Sequence, residues 1–86
     1  MSEIPIEISR HAQEQMQERG ASKEEVEAAI RIGVPEPARK GRIMYRKNFQ
    51  FDAAWRGRRY SVKQVAPVVA RESDRYVVIT VYTFYY

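Results

Sequence analysis

A chain of 86 residues that is 44% hydrophobic and 30% charged has the composition of an ordinary globular domain, with length for one small core. It contains no cysteine and one histidine, which excludes disulfides, thiol nucleophiles and a zinc site built from thiolates or clustered imidazoles. The net charge of +4 hides a division: residues 1–36 hold eight acids against four bases, whereas between Arg39 and Lys63 nine bases face one acid.

That stretch predicts positive potential concentrated on one part of the surface, and an anionic partner, either nucleic acid or an acidic protein. Its bases, Arg39, Lys40, Arg42, Arg46, Lys47, Arg56, Arg58, Arg59 and Lys63, are the candidate nucleic-acid-binding residues. The start of the chain carries acids and a proline where an export signal needs a basic and then an apolar region. The longest uncharged apolar run, Tyr76 to Tyr86, has 11 residues, too few to span a bilayer as a helix. A cytoplasmic, membrane-free protein is expected, with no metal or cofactor.

In chain order, Ile4, Ile6 and Ile8 alternate with Pro5 and Glu7, the pattern of a short edge strand. Ser9 can cap a first helix that closes at Gly20, and Ser22 with Glu25 forms a capping box for a second. That second helix ends at Gly33, before a loop containing Pro35 and Pro37. The period then changes to two: Ile43, Tyr45, Phe49 and Phe51 mark one strand, a turn falls within residues 52–58, and Tyr60 and Val62 open the next. Pro67 predicts a bulge or an edge in that strand. In the last strand Val77, Ile79 and Val81 alternate with Tyr76, Val78, Thr80, Tyr82 and Phe84; both faces are apolar or aromatic, so it should lie inside the sheet. The expected fold is a single α+β domain over residues 1–86, a two-helix hairpin packed on a three- to four-stranded, largely antiparallel sheet.

The first helix has a polar docking side. On a helical wheel Ala12 and Met16 supply its apolar contact, while His11, Gln15 and Arg19 form a row along the border. Desolvating that row without partners would cost several kcal/mol, so it either bonds into the sheet or borders an open cleft. His11 in the first turn offers an imidazole that can serve as a proton acceptor or as a hydrogen-bonded structural residue. Arg56 to Arg59 could clamp a phosphate from a hairpin or simply be solvated. The tyrosines of the last strand could stack bases or pack the core.

The stretches HAQEQMQERG (11–20), EEVEAAIRIG (24–33) and VVITVY (77–82), in this order and spacing, resemble the prokaryotic family called domain of unknown function 4258, from about Ile8 to Tyr82. That family looks related to the BrnT and RelE-like toxins. The resemblance implies a metal-independent endoribonuclease scaffold, RNA as substrate, sometimes on the ribosome, and a small acidic antitoxin as partner. By this likeness the family's helix histidine matches His11, its arginine Arg19 and its strand motif Val78 to Tyr82. Many members carry arginine where Gln15 stands, and a larger aliphatic residue where Ala21 stands. The catalytic expectation is that His11 moves the proton of a ribose 2′-hydroxyl, Arg19 and Arg58 stabilise charge, and Thr80 or Tyr82 orients the phosphate. The alternative is a non-catalytic basic module that docks nucleic acid or an acidic protein, with His11, Gln15 and Arg19 fixing the helix on the sheet.

Overall fold

The computed structural model describes residues 4–86. Met1, Ser2 and Glu3, which open the segment read as lacking an export signal, lie outside the described residues. The elements run β1 (Ile6–Ile8), α1 (Arg10–Arg19), α2 (Lys23–Ile32), β2 (Val34–Pro37), a 3-10 turn (Arg39–Gly41), β3 (Ile43–Trp55), β4 (Arg58–Arg71) and β5 (Tyr76–Tyr85). They form an α+β fold with one five-stranded sheet, ordered β1-β5-β4-β3-β2. β1 lies parallel to β5, and every other neighbour is antiparallel.

The helices begin and end where short polar residues and glycine permit. Ser9 Oγ accepts from the Ala12 N–H (3.1 Å), and Gly20 closes α1 at φ 76°, a left-handed conformation that favours glycine. Ser22 Oγ accepts from the Glu25 N–H (3.1 Å) while Glu25 Oε1 accepts from the Ser22 N–H (3.0 Å), a complete capping box. Ser22→Ala should therefore lower stability by about 1 kcal/mol; an unchanged thermal midpoint would count against the cap.

Three expectations about the sheet are corrected. Val34–Pro37 is a strand, not a loop: it pairs with β3 from Val34↔Arg46 to Pro37↔Ile43, and as the outermost strand it tolerates two prolines. The sheet thus has five strands where three or four were expected. Pro67 stands in the central strand β4 rather than at an edge, and the ladder to β3 lacks a bridge between Met44↔Val68 and Lys47↔Val65, where a residue without an N–H does no harm. The bulge lies next door in β5, where the pairs Val68↔Thr80 and Val69↔Val78 leave Ile79 without a partner. This extra residue shifts the alternation. Val78 and Val81, three apart, are both fully buried in the core, while Tyr82 and Phe84 are exposed.

Both helices pack on one face of the sheet. Ala12, Met16, Ala21, Val26 and Ile30 meet Val65, Val69, Val78 and Val81 in a single core. Lys63 lies on that face, since its Nζ reaches the Gly20 carbonyl, so Gln64 and its cross-strand partners Asn48 and Phe84 lie on the other. No helix covers that second face among the described residues.

Candidate nucleic-acid interface

The polar side of α1 closes the edge of β5. β1 ends at the pair Ile8↔Val78, which would leave the outer backbone groups of β5 beyond Val78 unpaired. α1 takes over from the missing strand. Ser9 N–H donates to the Val78 carbonyl (3.1 Å), Val81 N–H donates to Gln15 Oε1 (3.0 Å), and Arg19 Nη1 donates to the Val81 carbonyl (2.7 Å). The Thr80 hydroxyl also donates to Gln15 Oε1. Gln15 and Arg19 are therefore structural clamps, which is why this helix face is not apolar.

The last carbonyls of α1 are satisfied from the sheet. Glu18 O accepts from Arg56 Nη2 (2.8 Å), Arg19 O accepts from the Thr83 hydroxyl (2.8 Å) and the Tyr85 hydroxyl (2.7 Å), and Gly20 O accepts from Lys63 Nζ (2.8 Å). Two of these donors are cations, which suits the negative end of a helix. Burial raises the pKa of the Tyr85 phenol, so it remains protonated and able to donate.

The residues expected to be catalytic fall in three places. Arg19 and Tyr82 meet at the outer edge of β5, where the Arg19 guanidinium lies 5.1 Å from the Tyr82 ring centre, while the Thr80 hydroxyl is bonded to Gln15. His11 stands exposed in the first turn of α1 and makes no hydrogen bond among the described residues. It is about 12 Å along the helix axis from Arg19. Arg58 lies just past the β3–β4 turn, paired with Trp55 across the hairpin and exposed over the Tyr60 ring (5.8 Å). The cleft beside Arg19, of ≈ 240 Å³, is lined by Arg19, Trp55, Arg56, Tyr82, Thr83 and Tyr85, and neither His11 nor Arg58 is among them.

The nine bases do not form one patch. Arg39, Lys40 and Arg42 sit at the β2–β3 connection, whereas Arg56, Arg58 and Arg59 sit at the β3–β4 turn, at opposite ends of a strand about 40 Å long. Lys63 is buried at 8% exposure, held by Gly20 O and by Glu25 (2.8 Å), and presents no charge to a partner. Arg46 is paired with Glu36 (2.6 Å), and Lys47 lies by the Phe49 ring (5.0 Å). Composition placed these bases close in sequence; a long hairpin spreads such residues over the whole molecule.

The helix-free face carries a row that sequence reasoning only touched. Tyr82, Phe84 and Tyr86 are 38%, 43% and 55% exposed, and the Tyr82 and Phe84 rings stand 6.4 Å apart at 20°. Arg46 lies over Phe84 (5.6 Å) and donates to Gln64 Oε1 (2.8 Å). Gln64 in turn donates to Asn48 Oδ1 (2.9 Å), which also accepts from the Tyr86 hydroxyl (2.9 Å). Asn48, Gln64, Phe84 and Tyr86 are not among the candidate binding residues that the sequence offers. The period-two aromatics at positions 82, 84 and 86 were the available signal, obscured because the bulge before them set their facing.

The family described as "Domain of unknown function (DUF4258)" matches residues 8–83. The chain belongs to this family. The DUF4258 match starts at the last residue of β1 and takes in both helices, the bulge and most of β5, so the clamp of α1 on β5 lies within the shared domain. No curated protein and no solved structure matches this DUF4258 chain. No group of three or more metal-ligating side chains occurs among the described residues, and none of their helices is long and apolar enough to cross a membrane.

Proposed function

We propose that this chain is a non-catalytic RNA-binding module that takes single-stranded RNA across its helix-free sheet face. The observation that carries the reading is the exposed row Tyr82, Phe84, Tyr86, with Arg19 beside its first ring and Arg46 over its second. Aromatic side chains on an open sheet hold splayed bases by stacking, and a cation beside them such as Arg19, which makes no ion pair among the described residues, holds the backbone. The net charge of +4 favours a polyanion, and the resemblance to BrnT and RelE-like toxins read from the sequence implies RNA as the ligand class.

A ribonuclease would need a proton-transferring group at the phosphate with the charged groups around it. His11 is remote from the cleft, Thr80 is occupied by Gln15, and Arg19 spends one donor on Val81; the geometry favours binding over cleavage.

The test is a fluorescence-anisotropy titration of labelled single-stranded RNA with the wild type and His11→Ala, with the RNA run on a gel afterwards. Saturable binding is expected, equal for both proteins, with intact RNA. If about three phosphates are neutralised, affinity should fall about twentyfold between about 50 and 200 mM salt. Absence of binding, with capture of an acidic protein instead, would overturn the RNA reading. Cleavage lost in His11→Ala would restore the enzyme.

A further inference from the structure

Backbone direction along the end of β5 is fixed from both sides. The N–H and carbonyl of Tyr86 both bond to Val62 of β4 (3.0 and 2.8 Å), so the even-numbered residues turn their backbone groups inward. Those of Val81 turn outward, to Gln15 and Arg19. The pairing from Pro67↔Val81 to Lys63↔Tyr85 is regular, so alternation aims the Thr83 N–H outward as well. It lies one step past the last position that α1 covers, in the wall of the cleft lined by Arg19, Arg56 and Tyr82.

The donors of that cleft are preorganised. Arg19 is held by the Val81 carbonyl (2.7 Å) and rests by the Tyr82 ring. Arg56 is held by the Glu18 carbonyl (2.8 Å) and rests by the Trp55 ring (5.1 Å). Each keeps further N–H groups free of these bonds, because a guanidinium is a planar fork of several donors. Neither arginine makes an ion pair among the described residues, and no carboxylate lines the cleft. The Thr83 and Tyr85 hydroxyls already donate to Arg19 O. What faces the cleft is two fixed guanidiniums and a backbone amide, a set that matches a tetrahedral oxyanion.

The geometry points to a phosphate-binding site formed by Arg19, Arg56 and the Thr83 N–H at the outer edge of β5. The assignment of that phosphate to an RNA strand rests on the reading above: Tyr82 belongs both to the aromatic row and to the cleft, so a strand stacked on the row brings its backbone there.

The site is tested by titrating ¹⁵N-labelled protein with inorganic phosphate at constant ionic strength, following the arginine Nε–H signals and the Thr83 amide, with acetate as a second arm. Arg19, Arg56 and Thr83 should shift together and saturate at one affinity, with Arg39 and Arg58 still. Acetate should need roughly tenfold more, and Arg56→Gln should raise the phosphate Kd at least about tenfold, with Arg56→Lys in between. Shifts spread evenly over all arginines, no saturation, or an unchanged Kd in Arg56→Gln would overturn the site. If the variants do not fold, the wild-type titration decides alone. Phosphate binding without RNA binding would keep the site and remove the RNA reading; RNA binding with these three signals silent would do the reverse.

Discussion

Gly20→Ala is expected to cost about 2–5 kcal/mol and to lower the thermal midpoint by about 10 °C or more. Two penalties act together. Gly20 closes α1 at φ 76°, where an L side chain costs about 1–2 kcal/mol. A Cβ there would also stand 2.6 Å from the Tyr85 hydroxyl and 2.8 Å from the Trp55 ring. Those groups have little room to yield. The Trp55 and Tyr85 rings stack at 5.0 Å, and the Tyr85 hydroxyl is bonded to Arg19 O. Gly57→Ala separates the two penalties. Gly57 has φ 82°, but a Cβ there meets nothing within 4 Å, so that variant pays for the backbone alone. Equal losses for the two variants, measured by chemical denaturation, would show that α1 is not seated on the aromatic cluster as described.

Tyr82→Ala combined with Phe84→Ala should weaken RNA binding by at least about thirtyfold, since each stacked base contributes about 1–3 kcal/mol. Both rings lie on the helix-free face and outside the core, so the double variant should melt close to the wild type. Tyr82→Phe keeps the stacking surface and should bind within about threefold of the wild type. Undiminished affinity in the folded double variant would move the ligand off this face.

What the sequence made legible was local. Ser9, Gly20 and the Ser22–Glu25 box act through neighbours in the chain, and all three mark the helix ends as read. The β3–β4 turn falls at Arg56–Gly57, both with positive φ, as a two-residue hairpin loop requires. What stayed hidden depended on distant partners. Val34–Pro37 reads as a proline loop, and only the adjacent β3 makes it a strand. The bulge at Ile79 changes which face Tyr82 and Phe84 occupy, and no local pattern announces it. The row of His11, Gln15 and Arg19 is anomalous on a docking face, and its polarity is met either by bonding into the sheet or by a cleft open to water. The structure gives the first answer for Gln15 and Arg19, which complete a strand edge, and leaves His11 in solvent. Lys63 counted as a surface base until the helix carbonyl above it and Glu25 claimed its charge.

The central claim is that the uncovered face of the sheet is the one that meets RNA. Mapping amide and aromatic ¹H signals during titration with a short single-stranded RNA tests it most directly. The account predicts that Arg46, Asn48, Gln64, Tyr82, Phe84 and Tyr86 move, and that the outer surfaces of α1 and α2, His11 included, stay still. Shifts centred on His11 and the helices, with the aromatic row unmoved, would contradict it.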